Sequence, residues 1–298
     1  MKIIIDTDCG VDDAFAILFG LESYEVIAIT CVSGNTYVDN VCNNVGVVIE
    51  QVGKNVSFYR GCENFILSDW DPFLTWEGHG KDGLGDVGFK SSLKPKEENA
   101  INALIRLTKE HEDIHLITLG PLTNVATACL IDPDFPKRVK SFTIMGGAHQ
   151  CKGNTKLASE FNIDCDPEAA KICLNKFPMT RMVTWETGYK CSFDWSWYDN
   201  LKKTKYTDFI KSISEKLEPL LRENGYNFIV CDLIAMVSYL AESDKSYDIY
   251  CDIELSGKHT RGSTVFSWNK EDTRKPNCRI IKINMDKVYE VVEKVIYL

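Results

Sequence analysis

Residues 2–14 read Lys2-Ile3-Ile4-Ile5-Asp6-Thr7-Asp8-Cys9-Gly10-Val11-Asp12-Asp13-Ala14, and a strand pattern changes into a helix pattern within them. The three isoleucines are typical of a parallel strand covered on both faces, and the apolar spacing from Asp12 to Phe19 is typical of a helix. Four carboxylates lie within eight residues at this junction. Because open α/β sheets bind ligands at the carboxyl ends of their strands, we expect a ligand site here.

The clustered carboxylates favour a metal site. Gly10 permits the tight turn that brings Asp8 and Asp13 together. Keeping two neighbouring carboxylates ionised costs free energy because their charges repel, so a proton or a divalent cation must neutralise them. In the local alternative, Asp12 is a helix N-cap and Asp13 interacts with the helix dipole. That alternative leaves the two earlier aspartates unexplained, and we therefore favour the metal site.

The composition is that of an acidic globular protein. With 298 residues and 44% apolar content, residues 1–298 are expected to form one domain. The net charge of -9 and the lack of any Lys/Arg-rich tract argue against nucleic acid or an anionic membrane as partner. No apolar stretch approaches the roughly 18 residues of a membrane span, and no signal-peptide pattern precedes the first strand. We expect a cytoplasmic protein that acts on a small solute.

The twelve cysteines are scattered singly through apolar segments and show neither zinc nor redox spacing. We expect free, mostly buried thiols.

Strand and helix patterns alternate along the rest of the chain. Further strands are predicted at 26–33, 56–59, 114–119, 139–145 and 180–185, with edge strands in 248–255 and 279–285. One amphipathic helix is predicted from Tyr206 to Arg222, and another closes the chain. The alternation predicts an α/β fold with an open, mostly parallel sheet flanked by helices. The long loop at 63–95 contains Trp70 and Trp76, which favour an ordered, functional loop.

Several polar residues follow the ends of predicted strands or begin helices. Asn35 is suited to bind a ligand hydroxyl, although asparagine is also a common turn residue. His79, between two glycines, is a candidate catalytic residue, and a solvated loop histidine is its alternative. Asp232 begins an apolar helix, where an N-cap is the alternative. Further candidate hydroxyl binders are Asn154, Glu160 and Asn162.

These motifs, taken in order, resemble the inosine-uridine preferring nucleoside hydrolases, a family of calcium-dependent N-ribohydrolases. Residues 6–14 resemble the family's N-terminal signature, with Cys9 at the position of the usual proline. The other matching segments are 32–35, 79–80, 120–124, 145–147 and 160–162. The resemblance extends over nearly the whole chain. It implies a modified Rossmann-like fold, the hydrolysis of ribonucleosides to ribose and free base, a role in purine or pyrimidine salvage, and a homodimer or homotetramer.

The resemblance also implies a role for each candidate residue. Calcium is held by the side chains of Asp8, Asp13 and Asp232 and by the carbonyl of Leu119, and Asp8 is the base that activates a calcium-bound water. With water and two ribose hydroxyls this makes about eight oxygens, which suits calcium rather than octahedral magnesium. The implied ribose-binding residues are Asp12, Asn35, Asn154, Glu160 and Asn162, with Met145 beneath the sugar.

The implied reaction explains these residue types, because positive charge develops on the ribose ring when the N-glycosidic bond breaks. Carboxylates and amide oxygens around the sugar favour that oxocarbenium-like state. Many family members carry a histidine before the last metal-binding aspartate, implicated in protonating the leaving base, and here that residue is Cys231. A thiol of unperturbed pKa about 8.5 is a poorer acid than imidazolium. Trp185-Glu186 also departs from the family pattern, so the preferred nucleobase stays open.

Two alternative functions use the same residues differently. A haloacid-dehalogenase-like phosphatase also has Asp-x-Asp after its first strand and uses magnesium, but residues 10–13 and the Glu160-Phe161-Asn162 motif fit it poorly. A non-catalytic ribose- or nucleoside-binding protein would explain the missing histidine. Asp8 argues against it, because binding alone requires no base.

Overall fold

The computed structural model describes residues 1–67, 77–269 and 271–298, and it is built around an eight-stranded sheet with the order β3-β2-β1-β4-β5-β6-β10-β7. Neighbouring strands are parallel except β10 and β7. A separate antiparallel pair is formed by β8 and β9. The strands are β1 Lys2–Thr7, β2 Glu25–Cys31, β3 Ser57–Arg60, β4 Ile114–Thr118, β5 Ser141–Met145, β6 Thr180–Val183, β7 Tyr247–Ile249, β8 Cys251–Ile253, β9 Thr264–Phe266 and β10 Cys278–Ile280.

The strand order reverses between β1 and β4. The chain proceeds from β1 through β2 to β3 at one edge and from β4 towards the other edge. In open α/β sheets such a reversal opens a crevice at the carboxyl ends of the two strands, where ligands bind. The predicted α/β class and the mostly parallel open sheet are confirmed. Since strands from both ends of the chain share the sheet, we propose that residues 1–298 form one domain.

Helices cover both faces of the sheet. Ile3 and Ile5 face one core with α1, α2, α12 and α13, whereas Ile4 faces the opposite core with α3, α4 and α7. This explains the continuous apolar run of β1, because both faces of a central parallel strand are covered. The helices are α1 Val11–Ser23, α2 Val38–Val52, α3 Ala100–Glu110, α4 Thr123–Ile131, α5 Phe135–Arg138, α6 Phe161–Cys165, α7 Pro167–Lys176, α8 Trp185–Lys190, α9 Trp195–Asp199, α10 Lys205–Ser214, α11 Leu217–Glu223, α12 Cys231–Ala241 and α13 Met285–Ile296.

The prediction of one helix from Tyr206 to Arg222 is wrong, because α10 ends at Ser214 and α11 begins at Leu217. Pro219 lies in the first turn of α11. A proline is tolerated there, whereas in a continuous helix it would remove a backbone hydrogen bond and clash with the preceding turn. The predicted strand at 248–255 is likewise divided into β7 and β8.

The remaining expectations have different outcomes. All twelve cysteines are free, and most are buried, as predicted. Within the described ranges, no helix is both long and apolar enough to cross a membrane. The expected order of the loop at Trp70 and Trp76 concerns residues outside the described ranges.

Candidate functional site

Three carboxylates meet beyond the end of β1. One oxygen each of Asp12, Asp13 and Asp232 lies within 4.8 Å of the others. The first two belong to the first turn of α1 and the third to the first turn of α12, so two helix starts bring them together. Asp13 and Asp232 are buried, whereas Asp12 is partly exposed. Such a set of anionic oxygens is suited to a hard divalent cation.

Asp13 is held by three hydrogen bonds. Thr7 Oγ1 donates to Oδ1 over 2.6 Å, and the Gly10 backbone N–H donates to Oδ2 over 2.9 Å. Asn35 Nδ2 also donates to Oδ2, over 3.3 Å. Gly10 rather than Asp12 is the N-cap of α1, so the local alternative for Asp12 is wrong. These bonds fix the Asp13 carboxylate towards the other two acids.

Asp8 is fully buried, like Asp13. Its Oδ2 accepts a hydrogen bond from the Asn35 backbone N–H over 2.7 Å. A Cβ at Gly34 would lie 2.1 Å from Oδ2, and one at Gly120 would lie 2.8 Å from Oδ1. Both glycines are therefore required by the close approach of this carboxylate. Burial and the nearby charge of Asp13 raise the pKa of Asp8 well above its usual range.

Two buried carboxylate oxygens at the site, Asp8 Oδ1 and Asp232 Oδ1, have no hydrogen-bond partner among the described residues. Burial and the charges of Asp12 and Asp13 raise the pKa of Asp232 well above its usual range. An unpartnered buried carboxylate oxygen is costly in a folded protein, and a bound cation would remove that cost. The residues present therefore fit a divalent metal ion.

Asn162 connects the ends of two neighbouring strands. Its Nδ2 donates to the Leu119 carbonyl over 2.6 Å and to the Met145 carbonyl over 3.1 Å. A carbonyl oxygen has two lone pairs, so the bond from Asn162 leaves Leu119 able to bind a cation as well. Asn162 thus fixes the carbonyl that the family resemblance predicts as a metal ligand.

Glu160 is the N-cap of α6, and its carboxylate is largely engaged by backbone groups. It accepts hydrogen bonds from the N–H groups of Gly147, Asn162 and Ile163 over 2.8, 2.9 and 3.2 Å. Burial raises the pKa of Glu160 to about 7, although these bonds oppose the shift. Asn154 lies exposed nearby, and its Oδ1 accepts from the Phe161 N–H over 2.9 Å.

Two candidate catalytic residues, His79 and Cys231, lie at the same site. His79 Nδ1 accepts a hydrogen bond from the Val11 N–H over 3.1 Å, and burial lowers its pKa to about 4. The imidazole is therefore neutral at neutral pH. Cys231 is the first residue of α12, and a Cβ at Gly188 would lie 2.3 Å from its Sγ. Burial raises the pKa of this thiol well above its ordinary value, so it stays protonated.

A cavity of about 600 Å³ opens above the carboxylates. Asp8 and Asp13 lie behind its wall, and the other predicted residues contribute to it. The predicted residues on the wall are Asp12, Asn35, His79, Leu119, Met145, Asn154, Glu160, Asn162, Cys231 and Asp232. The structure thus gathers residues from both halves of the chain around one space.

Sequence reasoning assigned no cavity role to a further, mostly apolar set of lining residues, called here the apolar half of the cavity. Its side chains come from the start of α6, the start of α8, from α11 and from the segment before α12, and they are Phe161, Trp185, Leu217, Leu221, Asn224, Tyr226 and Ile229. Trp185 lies two residues after the end of β6, at the same sheet edge as the acids, and that position was the available signal. The break between α10 and α11 was not anticipated, so α11 could not be assigned to the cavity.

Comparison with known proteins supplies independent evidence. A family model described as inosine-uridine preferring nucleoside hydrolase matches residues 3–290. The inosine-uridine preferring nucleoside hydrolase of Crithidia fasciculata is 31% identical over 98% of this chain and 96% of its own length. A solved inosine-guanosine nucleoside hydrolase superposes with a TM-score of 0.92 at 30% identity, covering 99% of this chain and 98% of that chain. A plant nucleoside hydrolase gives 0.91 at 27% identity, covering the same shares of the two chains.

Proposed function

Because this chain belongs to the inosine-uridine preferring nucleoside hydrolase family, we propose that it hydrolyses ribonucleosides such as inosine and uridine, releasing ribose and the free base. Membership of the inosine-uridine preferring nucleoside hydrolase family was predicted from the sequence motifs and is confirmed. The observation that carries the proposal is the group of Asp12, Asp13 and Asp232 beside the ligand cavity, with Asp8 behind it. The substrates, the metal and the residue roles are the proposed part.

Calcium is the proposed metal, with Asp8, Asp13, Asp232 and the Leu119 carbonyl as its ligands. The unpartnered oxygens of Asp8 and Asp232 and the raised pKa values of the acids support this set. Asp12 has an oxygen within 4.8 Å of the Asp13 and Asp232 oxygens, and it adds negative charge beside the proposed ligands. A bound divalent cation keeps neighbouring carboxylates ionised and lowers the pKa of nearby water. The all-oxygen donor set favours calcium over softer metals.

Asp8 is the proposed general base. Its Oδ2 is oriented by the Asn35 N–H, and because a carboxylate has about four lone-pair sites, Asp8 can hold the cation and still accept the proton of the attacking water. A base must lie within hydrogen-bond reach of the proton that it removes, and a carboxylate fixed through one oxygen is well oriented for that transfer. The two glycines that approach Asp8 restrict its side chain to this position.

The ribose is proposed to lie above the acids, with Met145 beneath it. The proposed partners of the ribose hydroxyls all line the cavity, and they are Asp12, Asn35, Asn154, Glu160 and Asn162. Carboxylate and amide oxygens there stabilise positive charge as it develops on the ring. A 2'-hydroxyl completes the hydrogen bonds of these polar groups, so the site should discriminate against 2'-deoxyribonucleosides.

The base is proposed to lie in the apolar half of the cavity. Trp185, Phe161 and Tyr226 offer aromatic surface there, and Asn224 supplies a polar group. Aromatic faces bind flat heterocycles by stacking, with little dependence on the pattern of hydrogen-bonding groups. This supports acceptance of both purine and pyrimidine bases. The catalytic roles of His79 and Cys231 stay predictions. A neutral imidazole and a thiol whose pKa is raised by burial are both poor proton donors.

Direct hydrolysis assays test the proposal. The purified chain is incubated with inosine, uridine and p-nitrophenyl phosphate, in calcium, in magnesium or in excess chelator, and reducing sugar and phosphate are measured. We expect calcium-dependent release of ribose from the nucleosides. Phosphate release alone would support the phosphatase alternative, and saturable nucleoside binding without ribose release would support the non-catalytic one.

The cytoplasmic location and the homodimer or homotetramer stay predictions from the sequence. Light scattering of the purified chain tests the assembly.

A further inference from the structure

Glu186 holds the loop that follows β5. This buried side chain belongs to the first turn of α8, and its two oxygens accept from successive backbone N–H groups of the loop. Oε2 accepts from His149 over 2.9 Å, and Oε1 accepts from Gln150 over 2.7 Å and from Lys152 over 3.5 Å. His149 Nδ1 also lies 3.0 Å from Oε2. One carboxylate therefore organises residues 149–152.

The environment favours the ionised carboxylate. Although burial opposes it, the hydrogen bonds from His149 and the Gln150 N–H lower the pKa of Glu186 to about 2. Hydrogen bonds to an ionised acceptor are stronger than those to a neutral one. The loop is thus anchored by charge-assisted bonds at its β5 end.

The anchored loop continues directly into the cavity wall. Gly153, Asn154 and Thr155 line the cavity, whereas Glu186 lies behind it. Helix α8 also carries Trp185 on the cavity wall and Gly188 against Cys231. Glu186 therefore joins a loop on the proposed ribose side to a helix on the proposed base side.

We infer that Glu186 is a positioning residue, which sets the position of the 149–155 loop relative to α8 and thereby the affinity for the ribonucleoside without touching it. This inference rests on the proposed function in one respect, the role of Asn154 in binding ribose. Its physical basis is that a misplaced binding group weakens substrate binding even when the group itself is unchanged.

Glu186→Gln is the informative variant, because it keeps the size of the side chain. Both carboxylate oxygens accept backbone N–H groups, but an amide presents one oxygen and one NH₂ group. The NH₂ group would face the backbone N–H of His149 or Gln150, and two donors cannot pair. One end of the 149–152 segment must therefore move. Glu242→Gln is the matched control, since Glu242 pairs with Arg181 and Arg279 over 2.7 and 2.9 Å and is absent from the described cavity wall.

Steady-state kinetics on uridine form the first test. We expect Glu186→Gln to raise KM on the order of tenfold with a smaller change in kcat, and Glu242→Gln to leave KM unchanged. If Glu186 acts through Asn154, then Glu186→Gln combined with Asn154→Ala should be no worse than Asn154→Ala alone, because coupled residues are not additive. An unchanged KM in Glu186→Gln, or additive losses in the double variant, would overturn the inference.

Hydrogen exchange supplies a test that needs no activity. The amides of residues 149–152 should exchange faster in Glu186→Gln than in the parent or in Glu242→Gln, with the rest of the sheet unchanged. Unaltered exchange in this segment would refute the positioning role. Failure of the parent to hydrolyse any ribonucleoside would instead refute the proposed function, and the exchange result would still decide whether Glu186 anchors the loop.

Discussion

The backbone N–H of Asn35 donates to Asp8 Oδ2 over 2.7 Å, and this bond connects the segments that follow two adjacent parallel strands, β1 and β2. The other oxygen, Asp8 Oδ1, is buried and has no hydrogen-bond partner in the described ranges. One oxygen of the carboxylate is therefore fixed by the protein, and the other keeps its lone pairs for a cation or a proton.

Asp8→Asn should abolish most of the hydrolysis and keep the fold. The amide oxygen can still accept from Asn35, but an amide cannot take up a proton from water. We expect kcat to fall by about 10³-fold or more. Assays with uridine, beside circular dichroism and thermal unfolding, measure both effects. Near-normal turnover in a folded variant would show that the base lies elsewhere.

Asp13→Ala and Asp232→Ala should each weaken calcium binding, because each removes an anionic oxygen from a site that only the folded chain assembles. Titration calorimetry on chelator-treated protein measures the affinity. Asp286→Ala, which removes an exposed carboxylate from the first turn of α13, is the control and should bind calcium like the parent. Parent-like affinity in both site variants would exclude the proposed ligand set.

Ribonucleosides should be far better substrates than their 2'-deoxy counterparts. Without the 2'-hydroxyl, polar groups at the site lose a partner, at a cost of about 1–3 kcal/mol for each buried group left unsatisfied. That corresponds to a loss of about fivefold to more than a hundredfold in kcat/KM. Parallel rates for uridine and 2'-deoxyuridine measure the ratio. Comparable rates would contradict the proposed sugar site.

Cys231→His tests whether leaving-group protonation limits turnover. Gly188 closes the space beside the thiol, so an imidazole must extend into the cavity, where an acid is useful. We expect the rate on inosine to rise relative to that on p-nitrophenyl riboside by on the order of tenfold, because nitrophenolate leaves without a proton. Cys231→Ser is the control for packing. Equal effects on both substrates would identify Cys231 as a packing residue.

Gly188→Ala should disturb the metal site from a distance. The added Cβ would lie 2.3 Å from Cys231 Sγ and 3.2 Å from its Cα, so the start of α12 must shift and carry Asp232 with it. We expect about 1–3 kcal/mol less stability and weaker calcium binding. Thermal unfolding and calorimetry measure the two changes. Cys231→Ala in the same chain should restore part of the loss, and full calcium affinity in Gly188→Ala would contradict the coupling.

The sequence by itself determined the local features of this protein. The apolar run Ile3–Ile5 indicates a strand covered on both faces, because only such a strand can be apolar at every position. The acids that follow it, and Asn35 after the next strand, mark the ligand edge, because parallel strands end on the same side of a sheet. These patterns are short, and each is set by burial or turn geometry within a few residues.

Apart from the family resemblance, which predicted Asp13 and Asp232 at one site, only the tertiary structure decided which distant residues meet. Asp232 joins Asp12 and Asp13 because α12 packs against α1, and an aspartate at a helix start indicates nothing about its neighbour in another helix. The apolar half of the cavity depends on the interruption of the helix between α10 and α11 and on the placement of α8 and α11. The bonds of Glu186 to residues 149–152 likewise arise from packing. Sequence patterns report burial and turns, whereas distances between remote side chains follow from how the elements pack together.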